Sequence, residues 1–186
     1  ITTTMLIDFE LILEGDFVNV ACGSDHTLCL ESDDSVWGAG SNDRGQLAFA
    51  EGAGDTDETG YIFIKRFVPI TTGAPVKKIA AGQDYSLFLT EDGQVFGSGN
   101  NNSQSFGPFI GTNNFGKYVP IKTKDSEKID QICYVGDTIM LRDVNGQLWA
   151  SIGGRSEFFV KVYRADYDPE DRPLHASLMN QPITPK

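Results

Sequence analysis

Residues 17–47 of this chain read FVNVACGSDHTLCLESDDSVWGAGSNDRGQL, and this stretch decides the fold because the chain repeats it. A shift of fifty-nine positions, without a gap, places Gly23 on Gly82 and Gly40 on Gly99. A further shift of fifty-three carries the pattern into residues 129–149 with fewer identities. Repetition at a period of roughly 50 residues indicates one supersecondary unit that is copied and stacked, each copy burying its apolar face against its neighbours.

Each copy is predicted to contain four short strands, and the first of these carries a proline in two of the copies. It comprises residues 9–11 in the first copy, 68–70 in the second and 119–121 in the third. Pro69 and Pro120 lack the amide hydrogen that a sheet ladder requires. We therefore expect this strand at a sheet edge or at the start of its unit.

The remaining strands are indicated by alternation and by turn residues. Leu28 and Leu30 alternate with polar or small residues, which predicts a strand with one buried face. The turn that follows contains Asp-Gly in the second copy and Asn-Gly in the third, both strong hairpin signals. The first copy has Asp34 at the glycine position, where we expect left-handed backbone.

Glycines mark two further positions of the repeat. Gly23 closes the second strand, and we expect it to adopt a positive φ that other residues avoid. Gly38 and Gly40 alternate along the fourth strand, which predicts that another backbone approaches one face of that strand closely.

Repeated four-stranded sheets with crowded glycines are typical of β-propeller blades, so the predicted class is all-β. We expect about three four-stranded antiparallel units, at residues 9–50, 68–108 and 119–154, forming a partial or open propeller. A non-repeat extension follows at residues 155–186. It is predicted to hold a strand within residues 157–165, a loop, a short helix and a disordered tail.

Three blades in an open arc would leave sheet edges and an apolar flank uncovered, and such surfaces invite association. Three arrangements are consistent with this. The chain is part of a longer propeller, or it closes with a second copy or a different subunit, or its own C-terminal extension covers the open side.

The charge of the chain is concentrated in its first unit. Residues 1–60 contain thirteen acidic residues and a single basic one, Arg44. Such a surface repels phosphate and favours basic protein partners, which argues against direct nucleic-acid binding. The alternative is a solvated acidic face that keeps the protein soluble. No run approaches the roughly 18 apolar residues of a membrane span, so membrane insertion is not expected.

Side chains with catalytic or metal-binding chemistry are sparse. His26 and His175 are the only histidines, and neither has the companions of a zinc site or a catalytic triad. Residues 55–60 resemble the start of a calcium loop, but Arg66 replaces the required glutamate at the twelfth position. The sequence therefore predicts no enzyme, no cofactor and no metal site.

The three cysteines, an odd number without metal-ligand spacing, favour reduced thiols and an intracellular protein, cytoplasmic or nuclear. Cys22 and Cys133 occupy apolar strand contexts, and the prediction for both is a small core residue.

The connector between the first two units is the first candidate contact site. It is eight residues longer than the next connector, with the insertion around residues 51–59. Insertions in propeller repeats map to loops on one face, which is often the binding face. The predicted partner-binding residues, in this connector and in the turn before it, are Asp43, Arg44, Glu51, Asp55, Asp57 and Glu58.

The motif pairs GSDHTLCL with VWGAGSNDRGQL, and GQDYSLFL with VFGSGNNNSQSFG, resemble the repeat of the regulator of chromosome condensation family. The resemblance covers residues 9–152 and implies seven-bladed propeller architecture. His26, Asn42, Gly45 and Gln46 match the repeat positions that in this family form the framework of the blade.

The resemblance also implies a function. It favours a non-enzymatic protein–protein interaction module that acts as a scaffold or regulatory subunit. The alternative is a guanine-nucleotide exchange factor for a Ran-like small GTPase, the activity of the best-known family members. The basic terminal arm that binds chromatin in the family has no counterpart in this sequence.

Overall fold

The computed structural model of the chain describes residues 13–50, 53–102, 104, 106, 116–123, 127–135, 138–151 and 159–162. Within these ranges the chain forms thirteen strands in three antiparallel sheets and no helix. The predicted all-β class is therefore confirmed. No helix with the length and hydropathy of a membrane span occurs in the described residues.

Sheet 1 contains the first five strands in the spatial order β1, β2, β3, β5, β4. Their limits are β1 at Phe17–Cys22, β2 at His26–Glu31, β3 at Val36–Ser41, β4 at Asp55–Thr56 and β5 at Ile62–Ile70. The sheet contains the predicted second, third and fourth strands of the first unit together with β5, and β4 adds a short further strand at the outer edge.

Sheets 2 and 3 each contain four strands in sequence order. Sheet 2 consists of β6 at Val76–Ala81, β7 at Tyr85–Thr90, β8 at Val95–Gly99 and β9 at Val119–Ile121. Sheet 3 consists of β10 at Ile129–Val135, β11 at Thr138–Asp143, β12 at Leu148–Ala150 and β13 at Val160–Lys161. Contacts of β6 with β1 and β2 on one side, and with β10 on the other, stack the sheets through their first strands.

The proline-containing strand belongs to a different sheet from the one expected. We predicted that residues 68–70 and 119–121 open the units that follow them. Instead, Pro69 pairs opposite Trp37 in sheet 1, and Pro120 pairs opposite Phe96 in sheet 2. Each proline-containing strand therefore belongs to the sheet that precedes it in the sequence. The strand pairs antiparallel with an earlier strand, β3 in sheet 1 and β8 in sheet 2. The predicted edge position is confirmed for β9, and residues 9–11 lie outside the described residues.

Two apolar cores lie between the three sheets. The core between sheets 1 and 2 includes Leu28, Leu30, Val36, Ile79 and Phe88. The core between sheets 2 and 3 includes Leu87, Leu89, Ile132, Leu141 and Trp149. Leu28 and Leu30 thus share a buried face, as their alternation predicted, and this face lies against sheet 2. Burial of large side chains at about 25 cal/mol per Å² provides the main attraction between the sheets.

Among the residues that the structure describes, no further sheet covers the outward faces of the end sheets. Val20 pairs with Cys29 in sheet 1 at the register that Ile79 and Phe88 occupy in sheet 2. Ile79 is 6% exposed because sheet 1 covers it, whereas Val20 is 57% exposed. The same geometry corrects the expectation for Cys22 and Cys133. Both are exposed rather than core residues, because each lies on the outward face of an end sheet.

Glycine is required at the end of the second strand for a reason other than the expected one. Gly23 and Gly82 are not among the residues with positive φ. A methyl group on Gly23 would overlap the His26 ring, and one on Gly82 would overlap the Tyr85 ring. These positions therefore need glycine because an aromatic ring packs on the backbone.

The other turn predictions are confirmed. Asp34 has a φ of 69°, close to the 84° of Gly93 and the 82° of Gly146 at the same turn position. The predicted close approach is confirmed at Gly40, whose φ is 98° and whose added methyl group would lie 2.8 Å from the Cα of His26. At Gly38 the neighbours are instead the side chains of Leu47 and Ile70.

The C-terminal extension contributes the outer strand of sheet 3. Val160 and Lys161 pair with β12, inside the predicted strand at 157–165, and the buried Phe159 joins the core between sheets 2 and 3. The predicted short helix and tail lie outside the described residues.

Candidate functional site

The described part of the insertion, residues 53–59, forms one strand and the turn of a β-hairpin instead of the predicted loop. In this hairpin, formed by β4 and the start of β5, Asp55 pairs with Phe63 and Thr56 pairs with Ile62. Gly54, with a φ of 118°, makes the close approach to Phe63 possible. The hairpin lengthens β5 to nine residues, compared with three in β9.

The carboxylate of Asp57 organises the tip of the hairpin. Its Oδ1 accepts hydrogen bonds from the Thr59 amide at 2.8 Å, the Thr59 hydroxyl at 2.6 Å and the Tyr61 amide at 3.0 Å. The hydrogen bond from the Thr59 hydroxyl, followed by that from the Tyr61 amide, lowers the pKa of Asp57. This carboxylate therefore stabilises its own turn and stays ionised at neutral pH.

In the turn after β3, Asp43 and Arg44 lie between two buried polar residues. Asn42 and Gln46 are almost fully buried. The Asn42 side chain accepts a hydrogen bond from the Leu47 amide at 3.0 Å, and Gln46 Nε2 donates to Ser41 Oγ at 2.9 Å. Arg44 is exposed, and its Nε lies 3.5 Å from Asp43 Oδ2. Asn42 and Gln46 are thus framework residues, as the resemblance implied.

The turn and the hairpin occupy the same end of sheet 1. The Asn42 amide donates to the Ile62 carbonyl at 2.9 Å, and Ser41 pairs with Phe63. Because β5 starts where β3 ends, the hairpin tip extends beyond the end of β3, next to the turn after it. The predicted residues that the structure brings to this end are Asp43, Arg44, Asp55, Asp57 and Glu58. Glu51 lies outside the described residues.

Two aromatic side chains of this hairpin were not among the predicted site residues. The rings of Tyr61 and Phe63 stack with centroids 6.4 Å apart, and Lys65 Nζ lies 5.5 Å from the Phe63 centroid. Lys65 Nζ also lies 3.4 Å from the Asp55 carboxylate. The alternation of residues 61, 63 and 65 could have indicated a shared face, but only the hairpin pairing places Asp55 beside them.

His26 is a structural residue of the interface between sheets 1 and 2. It is 3% exposed, and its Nε2 lies 3.0 Å from the Ser86 hydroxyl of the neighbouring sheet. Burial lowers the pKa of His26 from 6.5 to about 4, against the opposing effects of Asp84 and Asp25. Ser86 is fully buried, so this Ser–His pair offers no substrate access.

Two of the three acidic side chains of the hairpin contact protein groups nearby. At the calcium-like segment, Asp55 contacts Lys65 and Asp57 accepts hydrogen bonds from its own turn. The described residues contain no group of three or more His, Cys, Asp or Glu side chains positioned to hold a metal ion.

Tandem antiparallel sheets stacked through their first strands define the chain as a β-propeller repeat protein. Residues 17–46 and 76–104 match the family described as regulator of chromosome condensation (RCC1) repeat. These two segments are therefore repeats of the RCC1 family, as the motifs of the sequence indicated.

Two proteins illustrate the sequence similarity. The chain is 38% identical over 87 residues to the X-linked retinitis pigmentosa GTPase regulator of Canis lupus familiaris, covering 47% of this chain and 8% of that protein. It is 30% identical over 141 residues to the regulator of chromosome condensation of Xenopus laevis, covering 75% and 31% respectively. The chain thus spans less than a third of the length of either relative.

A solved structure supports the fold. Prp20p from Saccharomyces cerevisiae, a protein described with its binding properties to Gsp1p and histones, superimposes with a TM-score of 0.58 at 18% identity. The match covers 81% of this chain and 39% of that one. At this identity the likeness shows the fold alone.

Proposed function

We propose that this chain is a non-enzymatic protein-interaction module of the RCC1 type, acting as a scaffold or regulatory subunit. The observation that supports this most directly is the hairpin of β4 and β5. It projects from the end of sheet 1 and carries three exposed carboxylates, those of Asp55, Asp57 and Glu58. A strand pair that presents like charges favours recognition of a complementary protein surface.

A basic protein is the partner class that this surface fits best. Thirteen acidic residues against one basic residue in positions 1–60 give a field that attracts lysine and arginine and repels nucleic acid. Prp20p, which has a similar fold, is described as binding histones. Histones are therefore a suitable probe for this chain.

The test measures binding of purified core histones to the immobilised chain by biolayer interferometry. The variant D55N/D57N/E58Q keeps the hydrogen-bond acceptor of the turn and removes three charges. We expect ~10-fold weaker binding at low salt, because each exposed charge contributes about 0.2–1 kcal/mol.

The matched control is E14Q/D33N/E91Q, which removes three exposed charges at the opposite ends of the sheets. This variant is expected to bind histones within about twofold of the unmodified chain. Equal loss in both variants would mean that net charge, and not the hairpin, determines binding.

Nucleotide exchange on a Ran-like GTPase is the second candidate function. It is favoured by two of the similar proteins, one named as a GTPase regulator and the other, Prp20p, described as binding Gsp1p. Exchange needs no catalytic side chain, because it depends on binding the nucleotide-free GTPase. The test is release of a fluorescent nucleotide from Ran. Unchanged release at a large excess of the chain would rule this function out.

The uncovered faces support association with a further sheet or chain. The outward face of sheet 1 presents Val20, whereas that of sheet 3 carries the paired charges of Arg142 and Asp130, 2.6 Å apart. Arg142 occupies the register that Leu89 has in sheet 2. Covering this ion pair would remove both charges from water at a cost in free energy. We therefore propose that the further sheet or chain contacts the outward face of sheet 1.

The proposed compartment is intracellular, cytoplasmic or nuclear. All three cysteines are free thiols, and Cys22 and Cys133 are exposed. Exposed thiols persist in a reducing compartment. Labelling of these two thiols in the protein isolated without reductant tests the proposal, and a mixed disulfide at either would contradict it.

A further inference from the structure

One face of the hairpin forms a small platform that already holds a cation of the chain itself. We call Asp55, Tyr61 and Phe63 the aromatic platform. Tyr61 and Phe63 alternate along the chain and stack at 6.4 Å, with ring planes 26° apart. Asp55 lies directly opposite Phe63 in the strand pairing. Directly opposed residues of an antiparallel pair have neighbouring side chains, so the carboxylate and the ring share one surface.

Lys65 shows what this platform attracts. Its Nζ lies 5.5 Å from the centre of the Phe63 ring and 3.4 Å from the Asp55 carboxylate. An ammonium over an aromatic face is attracted by the ring quadrupole, and a nearby carboxylate adds to that attraction. The two contacts together hold a primary ammonium group at the platform.

The internal lysine is weakly held. The side chain of Lys65 is 64% exposed and that of Asp55 is 51% exposed. Ion pairs at this exposure contribute about 0–1 kcal/mol, so a second ammonium group can replace the first. The acidic first sixty residues raise the local concentration of cationic segments around the platform.

We propose that the aromatic platform binds a lysine side chain of a basic protein segment and that Lys65 is its internal competitor. This inference rests on the proposed function and specifies the chemistry of the partner. It predicts that removing a lysine from an already acidic hairpin strengthens binding by more than the change in net charge explains.

The experiment measures fluorescence anisotropy of a labelled peptide of four Gly-Lys repeats, titrated with the full chain. The same peptide with acetylated lysines is the control, because acetylation removes the charge that the platform recognises. Four variants are compared: F63L, F63Y, K65Q and R66Q. R66Q removes the same charge as K65Q from the next, exposed residue of the strand.

F63L is expected to weaken binding of the lysine peptide about two- to fivefold, the range that exposed cation–π contacts provide. F63Y retains an aromatic face and is expected to keep the affinity. K65Q is expected to strengthen binding at least twofold more than R66Q does, because it also vacates the platform. The acetylated peptide is expected to lose binding to every variant.

Three results would overturn the inference: unchanged affinity in F63L, equal effects of K65Q and R66Q, or retained binding of the acetylated peptide. If F63L does not fold, the comparison of K65Q with R66Q still tests the inference. Loss of histone binding in D55N/D57N/E58Q, together with no effect of the platform variants, would refute the platform and leave the proposed function standing. Failure of histones to bind at all would instead refute the proposed function.

Discussion

At the scale of single residues, His26 makes the stability of the interface between sheets 1 and 2 dependent on pH. Its buried ring is neutral and bonded to Ser86, and burial lowers its pKa from 6.5 to about 4. Between these values the unfolded chain binds a proton that the folded chain does not. The stability conferred by the neutral ring is therefore complete above pH 6.5 and is lost as the pH falls towards 4.

We expect the unmodified chain to lose up to about 2 kcal/mol more stability between pH 7 and pH 5 than the variant H26Q, which cannot titrate. Urea unfolding at the two pH values measures this difference. The carboxylates of Asp25 and Asp84 are present in both proteins, so their contribution cancels to first order. A variant with the same pH dependence as the unmodified chain would contradict this role of His26.

Asp34 is a second residue whose effect on stability can be predicted from the backbone. Its φ of 69° places an L side chain in a region that glycine adopts without strain. We expect D34G to raise the free energy of unfolding by about 0.5 kcal/mol. The reverse change at the equivalent turn, G146D, should lower it by a similar amount, since Gly146 has open space around it. Urea midpoints that move in the same direction for both variants would refute this explanation.

At the scale of the element, the hairpin of β4 and β5 depends on one carboxylate. D57A removes the acceptor for the amides of Thr59 and Tyr61. We expect these two amides to exchange with solvent about tenfold faster, because the loss of a hydrogen bond costs about 1 kcal/mol locally. Hydrogen exchange measured by NMR tests this prediction.

D57N keeps an oxygen acceptor at the same position and should retain most of the protection. The global urea midpoint is expected to stay the same in D57A, because the hairpin tip contributes no side chain to either core. Loss of global stability in D57A would show that the hairpin is part of the cooperative fold and not an appendage of it.

At the scale of the whole molecule, stability depends on whether one sheet covers another. Ile79 and Val20 occupy the same register in sheets 2 and 1, but only Ile79 is covered by a neighbouring sheet. We expect I79A to cost about 2–5 kcal/mol and V20A to cost less than about 1 kcal/mol. Urea unfolding of the two variants gives both values. A large cost for V20A would mean that a partner covers the outward face of sheet 1 in solution.

Part of the fold could be predicted from the sequence. The hydrophobic alternation in β2 and β7 and the Asp-Gly and Asn-Gly turns predicted four-stranded repeated sheets, because these signals depend on neighbours close in the chain. The sheet to which the strand with Pro69 belongs was predicted wrongly. The residue pattern of a strand does not show which strand it pairs with. That partner depends on where the connector brings the chain back to the sheet.

The candidate site was also predicted only in part from the sequence. The sequence indicated the insertion and its carboxylates, since a difference in connector length is visible without a structure. It did not indicate the aromatic platform, because Asp55 meets Phe63 only through a pairing between strands. The reason for glycine at position 23 was also missed, because the ring that packs there is defined by three-dimensional contacts.

The sequence by itself determined the repeat, the all-β class and the acidic character of the first unit, since each is a local or summed property of residues in order. Only the tertiary structure decided which strands share a sheet, which equivalent residues are buried and which side chains surround the platform. The physical reason is that pairing and burial depend on what lies opposite a residue in space. Identical positions of a repeat, such as Val20 and Ile79, therefore differ in environment when only one of them has a neighbouring sheet.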